Sequence, residues 1–412
     1  LRVHRWLGIG LGLWFALVGL TGALLVFEEP VDAWLNPQLL THTESAALLA
    51  PAAIAARATE TFAATHGRVK VERIRLPLAP HEVYRLVLNV TPDRRVGPQR
   101  VEAMFAPVSG TLLGSRDPER LSLAAPHLLR TVYEFHRNVL LGNSGANIVG
   151  VAGLLLAVSA VSGLVTSWPR RREHWRRWIW INRRASATRI SFDAHRSGGV
   201  LFALLLLLAT LTGSTLVWLN YVRDAVNVVS PVRSFPTIPW RGDTSTSPLT
   251  FAQVVDTVTQ AWPAHAITEI HGPPQQTGGY LFHLHQRGDV NRLGDTWLWV
   301  HPLTAEILVE RSDRTRSAGE TLMHWFLPLH TGTALGTGGR VAMLLTGLVP
   351  LLLVGTGLWV WWRKRRGEAL GERRRQSRRQ DVTSSTAPGQ DHPPTRPSRA
   401  ISVSAGRPPD RG

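Results

Sequence analysis

The chain has 412 residues, 44% of them hydrophobic, no cysteine and a formal net charge of +17. Lack of thiols excludes disulfides, cysteine-ligated iron–sulfur clusters, thiolate metal sites and covalently attached c-type haem. Four long apolar runs exclude an ordinary soluble domain, and the basic residues cluster directly after two of these runs instead of forming a nucleic-acid-binding motif.

The first apolar run extends from about Trp6 to Phe27, and Glu28-Glu29-Pro30 are read as its stop. The chain begins at Leu1, not at a methionine, which predicts a short missing N-terminal piece. The run is too long for a cleavable signal and has no small-residue cleavage site before Glu28. A polar region follows, with a helix predicted over Ala52 to Thr65 and strands over Val71–Leu76, Val83–Val90 and Val101–Phe105. A turn at Pro107 to Gly110 leads into a short strand, Thr111–Leu113.

The second run is about Asn147 to Trp168, followed by an arginine-rich loop whose Trp168, Trp175, Trp178 and Trp180 suit a membrane interface. The third is about Gly199 to Leu219. A second polar region repeats the pattern of the first: a helix over Phe251–Trp262, strands at Ile267–His271, Gly279–Gln286 and Thr296–Val300, then a turn at Pro302 to Ala305. The fourth run is about Val341 to Trp362. The tail from Arg363 is basic, then rich in Ser, Pro and Thr, and reads as disordered.

The fold class expected is an α-helical integral membrane protein with four transmembrane helices and two α+β polar domains, built by internal duplication. The boundaries are transmembrane segments at 1–28, 136–168, 195–219 and 330–362, polar domains at 29–135 and 220–329, a basic loop at 169–194 and a tail at 363–412. The positive-inside rule puts the loop, the tail and both termini in the cytoplasm and, in a bacterial inner membrane, both polar domains in the periplasm.

The duplication is read from two alignments. His136 to Trp168 and His330 to Trp362 share glycines at +6, +9, +17 and +27 from the histidine, at a shift of 194 residues. His4-Arg5, Gly8 and Leu20-Thr21-Gly22 recur as His195-Arg196, Gly199 and Leu211-Thr212-Gly213, at a shift of 191. Alternating span direction places His4 and His195 near one face and His136 and His330 near the other. Two neutral imidazoles can bind haem b iron from opposite sides. The four histidines thus predict two haems b, and Arg5, Arg137 and Arg196 stand beside three of them to pair with propionates. A histidine at the end of a span is also an ordinary interfacial residue, but repetition at four equivalent places favours ligation. From His136 to Trp168 one straight helix would be too long for a perpendicular span, which predicts a break or tilt near Gly142–Gly145 and Gly336–Gly339. Weaker readings attach to His127 and His324 as alternative ligands. His265, His271, His283, His285 and His301 are read as a metal or substrate patch or, more simply, a solvated strand face. Glu28 and Glu29 are read as interfacial charges or a proton relay.

His4-Arg5-Trp6-Leu7-Gly8, His195-Arg196, the two Leu-Thr-Gly triplets, His330 with its glycines and the turns at Pro107–Gly110 and Pro302–Ala305 resemble the PepSY-associated transmembrane proteins over about residues 1–366. The similarity is greatest to iron-regulated inner-membrane members, including the FoxB-like siderophore reductases. It implies two periplasmic PepSY-like domains, b-type haems held by His4, His136, His195 and His330, and electron delivery to a ferric siderophore with release of Fe(II). The donor expected is quinol or a cytoplasmic reductase, since the chain has no nicotinamide or flavin fingerprint. A haem-free binding or regulatory module, or a siderophore or metal transport component, are the rival readings. Ala305 departs from the family pattern, which has glycine there.

Overall fold

The computed structural model describes residues 2–91, 97–169, 171, 174–233, 249–272 and 278–385. The chain forms two units, Leu1–Val360 and Trp361–Gly412. In order, the elements are α1 (Arg2–Leu25), α2 (Glu28–Leu35), α3 (Pro37–Leu40), α4 (Pro51–His66), β1 (Arg68–Arg75), β2 (Tyr84–Thr91), β3 (Gln99–Phe105) and β4 (Leu112–Arg116). Then come α5 (Ala125–Asn138), α6 (Gly142–Ser167), α7 (Trp175–Ile179), α8 (Ala187–Val217) and α9 (Leu219–Asn227). The last are α10 (Phe251–Ala261), β5 (Ala266–His271), β6 (Tyr280–His285), β7 (Thr296–Val300), β8 (Ile307–Arg311), α11 (Ala318–Thr331) and α12 (Gly336–Ser385).

Among the described residues, four helices are long and apolar enough to cross a membrane: α1, α6, α8 and α12. Leu13, Val165 and Leu204 on them stay exposed, as lipid-facing side chains do. Small residues occupy the crossings, because lipid tails are as apolar as leucine and close van der Waals approach must drive the packing. A Cβ added to Gly19 of α1 would come within 2.4 Å of the Gly347 carbonyl oxygen on α12. One added to Gly153 of α6 would lie 2.6 Å from the Ser214 hydroxyl of α8, which donates to the Gly150 carbonyl at 2.9 Å.

The strands form one antiparallel sheet of eight, in the order β4-β3-β2-β1-β5-β6-β7-β8. The two polar regions expected from sequence thus share one sheet. The halves join where β1 and β5 pair, at Arg73↔His271, Ile74↔Ile270 and Arg75↔Glu269. Each half alone would leave an edge of unpaired backbone groups, and pairing edge to edge removes it. Alternation sorts the side chains between the two faces. Leu86, Leu88 and Val90 pack on Ile54, Ala58 and Phe62 of α4, and Phe282, Leu284 and Leu298 pack on Val254, Val255 and Val258 of α10. The other face is charged. Arg75 pairs there with Glu29 at 3.3 Å and Arg116 with Asp32 at 2.8 Å, which docks α2 on it.

Several local expectations change. Glu28-Glu29-Pro30 do not stop the first helix: α1 ends at Leu25, and these residues open α2. Proline is compatible with a first turn, and the two carboxylates favour a helix N-terminus. The tail is helical through Ser385, because its Arg, Glu, Gln and Ala are strong helix formers; residues 386–412 lie outside the described residues. The segments drawn at 136–168 and 330–362 each divide. Val139 and Leu140 take left-handed backbone after α5, with φ of 48° and 63°, and Gly142 follows at 58°. Gly332 and Gly336 make the matching corner after α11, with φ of 81° and 59°. Both boundary histidines therefore sit on separate helices, α5 and α11. Ala305 adopts φ of 56°, the region Gly110 occupies at 67° in the equivalent turn.

Glu102 anchors the charged face, 2.7 Å from both Arg85 and Arg116. Burial would raise its carboxyl, but the two arginines outweigh this and hold it down to about 2. Its folded value lies below the unfolded one. The stability it contributes is therefore complete above about pH 4.5 and lost as pH falls toward 2. Glu102→Gln takes the anionic partner from Arg85 and leaves Arg116 with Asp32 alone, and is expected to cost about 3–5 kcal/mol. A lower thermal midpoint in detergent at neutral pH, with a flatter acid dependence than the wild type, is the check.

Candidate functional site

Two histidine pairs lie inside the bundle. His4 of α1 and His195 of α8 have ring centroids 6.0 Å apart, with planes at 80°. His136 of α5 and His330 of α11 are 6.2 Å apart, at 43°. Two imidazoles on opposite sides of one metal ion, at about 2.0–2.1 Å each, have centroids about 6.3 Å apart.

Each histidine rests in the same kind of cradle on a neighbouring transmembrane helix. The cradle is a backbone carbonyl, a Ser or Thr three residues later and a Gly next to that. His136 Nδ1 lies 3.0 Å from the Val18 carbonyl oxygen and 3.2 Å from the Thr21 hydroxyl. His330 Nδ1 is 3.0 Å from the Ala209 carbonyl and 3.3 Å from Thr212. His4 Nδ1 is 2.9 Å from the Ser159 carbonyl and 3.4 Å from Ser162. His195 Nδ1 is 2.9 Å from the Leu353 carbonyl and 3.2 Å from Thr356. Nδ1–H donates to the carbonyl in every case, which fixes the tautomer and leaves Nε2 as the nitrogen with a free lone pair.

The glycine of each cradle makes room for the ring. A Cβ on Gly22 would approach His136 Cε1 to 2.8 Å, and one on Gly213 would approach His330 Cε1 to 2.9 Å. The matching distances are 3.0 Å for Gly163 and His4, and 3.1 Å for Gly357 and His195. The repeated glycines thus have separate tasks. Those at +6 from His136 and His330 turn the chain, and those at +9 pack on the Asn138 and Gly332 carbonyls. Those at +17 make the helix crossings, and those at +27 seat the other two histidines.

The pairs lie at two depths. On α1, His4 precedes Gly22, the seat of His136, by 18 residues, and on α8 His195 precedes Gly213 by 18. At about 1.5 Å per residue this separates the two levels by about 27 Å.

The arginines assigned to propionates behave differently. Arg5 is exposed beside Trp6, its guanidinium carbon 5.9 Å from the ring centroid. Arg137 is exposed and reaches Glu134 at 4.0 Å. Arg196 is mostly buried, pairs with Asp193 at 3.0 Å and donates to the Trp178 and Trp180 carbonyls at 3.0 Å each. It pins the α7 loop onto α8. Near the other pair, Arg340 donates to the Val26 carbonyl at 2.7 Å. His324 is held by Asp295 at 3.2 Å, and His301 Nδ1 accepts from the turn at Leu303 and Thr304, at 3.3 and 3.2 Å. The hydroxyls of Ser162 and Thr356 were not singled out by sequence, although Ser162-Gly163 and Thr356-Gly357 repeat the Thr-Gly of the triplets.

The fold and the site define a polytopic membrane protein with a single α+β sheet domain and paired, backbone-anchored histidines at two levels of its bundle. The chain belongs to the family whose model is described as the PepSY-associated TM region, which matches residues 1–364. No curated protein matches the chain.

Proposed function

We propose that the protein is a di-haem b oxidoreductase of the bacterial inner membrane that passes electrons outward to a periplasmic ferric siderophore. The observation that carries this reading is the fourfold cradle, which sets two imidazole pairs at 6.0 and 6.2 Å inside an apolar bundle. His4 and His195 would hold one haem, and His136 and His330 the other. Bound haem b supplies a one-electron redox centre whose potential depends on its axial ligands and burial.

The chain's own residues do the rest. The Nδ1 bonds orient the rings and raise their basicity. The cradle glycines let each ring approach its neighbouring helix, and the apolar spans exclude water. The basic loop and the basic end of α12 support a cytoplasmic side at the His4 and His195 level. The sheet domain then lies in the periplasm, beside His136 and His330. The electron donor is external, a quinol or a reductase. Ferrous ion leaves the chelate because hard oxygen donors hold it less tightly than ferric ion.

Protein purified from haem-supplied cells is expected to contain two haems b per chain by pyridine haemochrome assay, with low-spin bands after dithionite. The reduced protein should release Fe(II) from a ferric siderophore as it reoxidises. Absence of haem would sink the reading and leave a binding or regulatory module. Cellular accumulation of intact chelate without reduction would instead mark a transport component.

A further inference from the structure

On the charged face of the sheet, Glu269, His271 and His283 bring one ligand atom each to within 4.8 Å of one another. Strand pairing makes the cluster: Glu269 of β5 stands opposite His283 of β6, and His271 shares the face of Glu269 two residues on. Glu269 is buried. One of its oxygens accepts from Arg75 Nε at 3.1 Å, and the other meets His271 Nε2 at 2.7 Å. His283 stacks on Trp297 at 4.8 Å and lies 5.3 Å from the His271 ring.

One feature points to a ligand. His283 Nδ1 is buried without a hydrogen-bond partner, an arrangement that an ion relieves. Through its 3.1 Å bond, Arg75 serves as the outer partner that orients a ligating carboxylate.

We propose that Glu269, His271 and His283 form a binding site for one divalent first-row transition-metal ion. Two imidazoles and a carboxylate are the donor set of non-haem Fe(II) and of Zn(II), whereas Mg(II) and Ca(II) take oxygen ligands. Arg75 also bridges Glu269 to Glu29. Glu29 lies seven residues after Gly22, the seat of His136. The cluster therefore stands on the side of the bundle where the second histidine pair lies. If the proposed reductase function holds, on which this identification rests, the physiological ion is Fe(II) freed from the chelate.

Zinc is the probe, because haem already contributes iron. Full-length protein in detergent is dialysed against buffered Zn(II), and retained zinc and haem are measured on the same samples. One zinc per chain is expected in the wild type, falling at least about tenfold in His283→Phe and in His271→Gln at equal free zinc. Phenylalanine keeps a flat ring against Trp297, so a loss there is not a loss of packing. No zinc in the wild type, or equal zinc in the variants, overturns the site. Zinc bound to a protein that holds no haem leaves the site standing and removes the redox reading. Anaerobic Fe(II) should displace the zinc, and failure to do so overturns the Fe(II) assignment.

Discussion

His330→Ala is expected to remove one of two haem b equivalents and to reduce ferric-siderophore reduction more than about 100-fold. Outer partners of a metal ligand alone are worth about 10–100-fold in affinity, and alanine removes the ligand itself. The His4 and His195 pair, on the other level of the bundle, should keep its haem. His330 takes no part in the sheet, and its Nδ1 bonds to Ala209 and Thr212 of α8. The sheet domain should therefore unfold as in the wild type. Pyridine haemochrome stoichiometry, the reduced spectrum and stopped-flow reoxidation by ferric siderophore read the three effects. Two haems retained with an unchanged rate would remove His330 from the site.

Gly213→Leu should produce the same spectral loss without touching a ligand. Even the first carbon of the new side chain would stand 2.9 Å from His330 Cε1, closer than van der Waals contact. The ring must leave, and with it goes the 3.0 Å bond from Nδ1 to the Ala209 carbonyl. Overpacking of this kind costs about 1–3 kcal/mol in a tight core, so the protein should still fold. Gly10→Leu is the control, because nothing lies within 4 Å of a Cβ there. Equal haem content in both variants would show that the cradle does not position His330.

Much of the architecture was legible in local pattern. Runs of about twenty apolar residues mark spans whatever they pack against, because no other soluble or membrane environment accepts them so well. Short runs rich in β-branched and aromatic residues marked β2, β3, β6 and β7, each of which packs one face on α4 or α10. The helices carrying His136 and His330 were harder to see. α5 and α11 are amphipathic or short, follow a polar region directly and are separated from α6 and α12 only by a tight corner. The length of His136 to Trp168 indicated a break near Gly142–Gly145, with the histidine at the surface or on a separate short helix, and α5 is that helix.

The candidate site divides in the same way. Residue types and spacing selected His4, His136, His195 and His330 as a set of four, because His136 is matched by His330 at a shift of 194 residues and His4 by His195 at a shift of 191. Their seats could not be read along the chain. The carbonyls that receive Nδ1 lie 118 to 158 residues away in sequence, and a backbone carbonyl carries no residue signature. The contacts of Arg196 to Asp193 and to the Trp178 and Trp180 carbonyls were also not visible along the chain. Likewise nothing in either polar region announces that β1 will pair with β5, since a strand edge has the same composition whether it is bare or joined. Spans, strand faces and the choice of histidines follow from short-range periodicity and chemistry. The merged sheet and the four cradles depend on which distant segments meet, and only tertiary packing settles that.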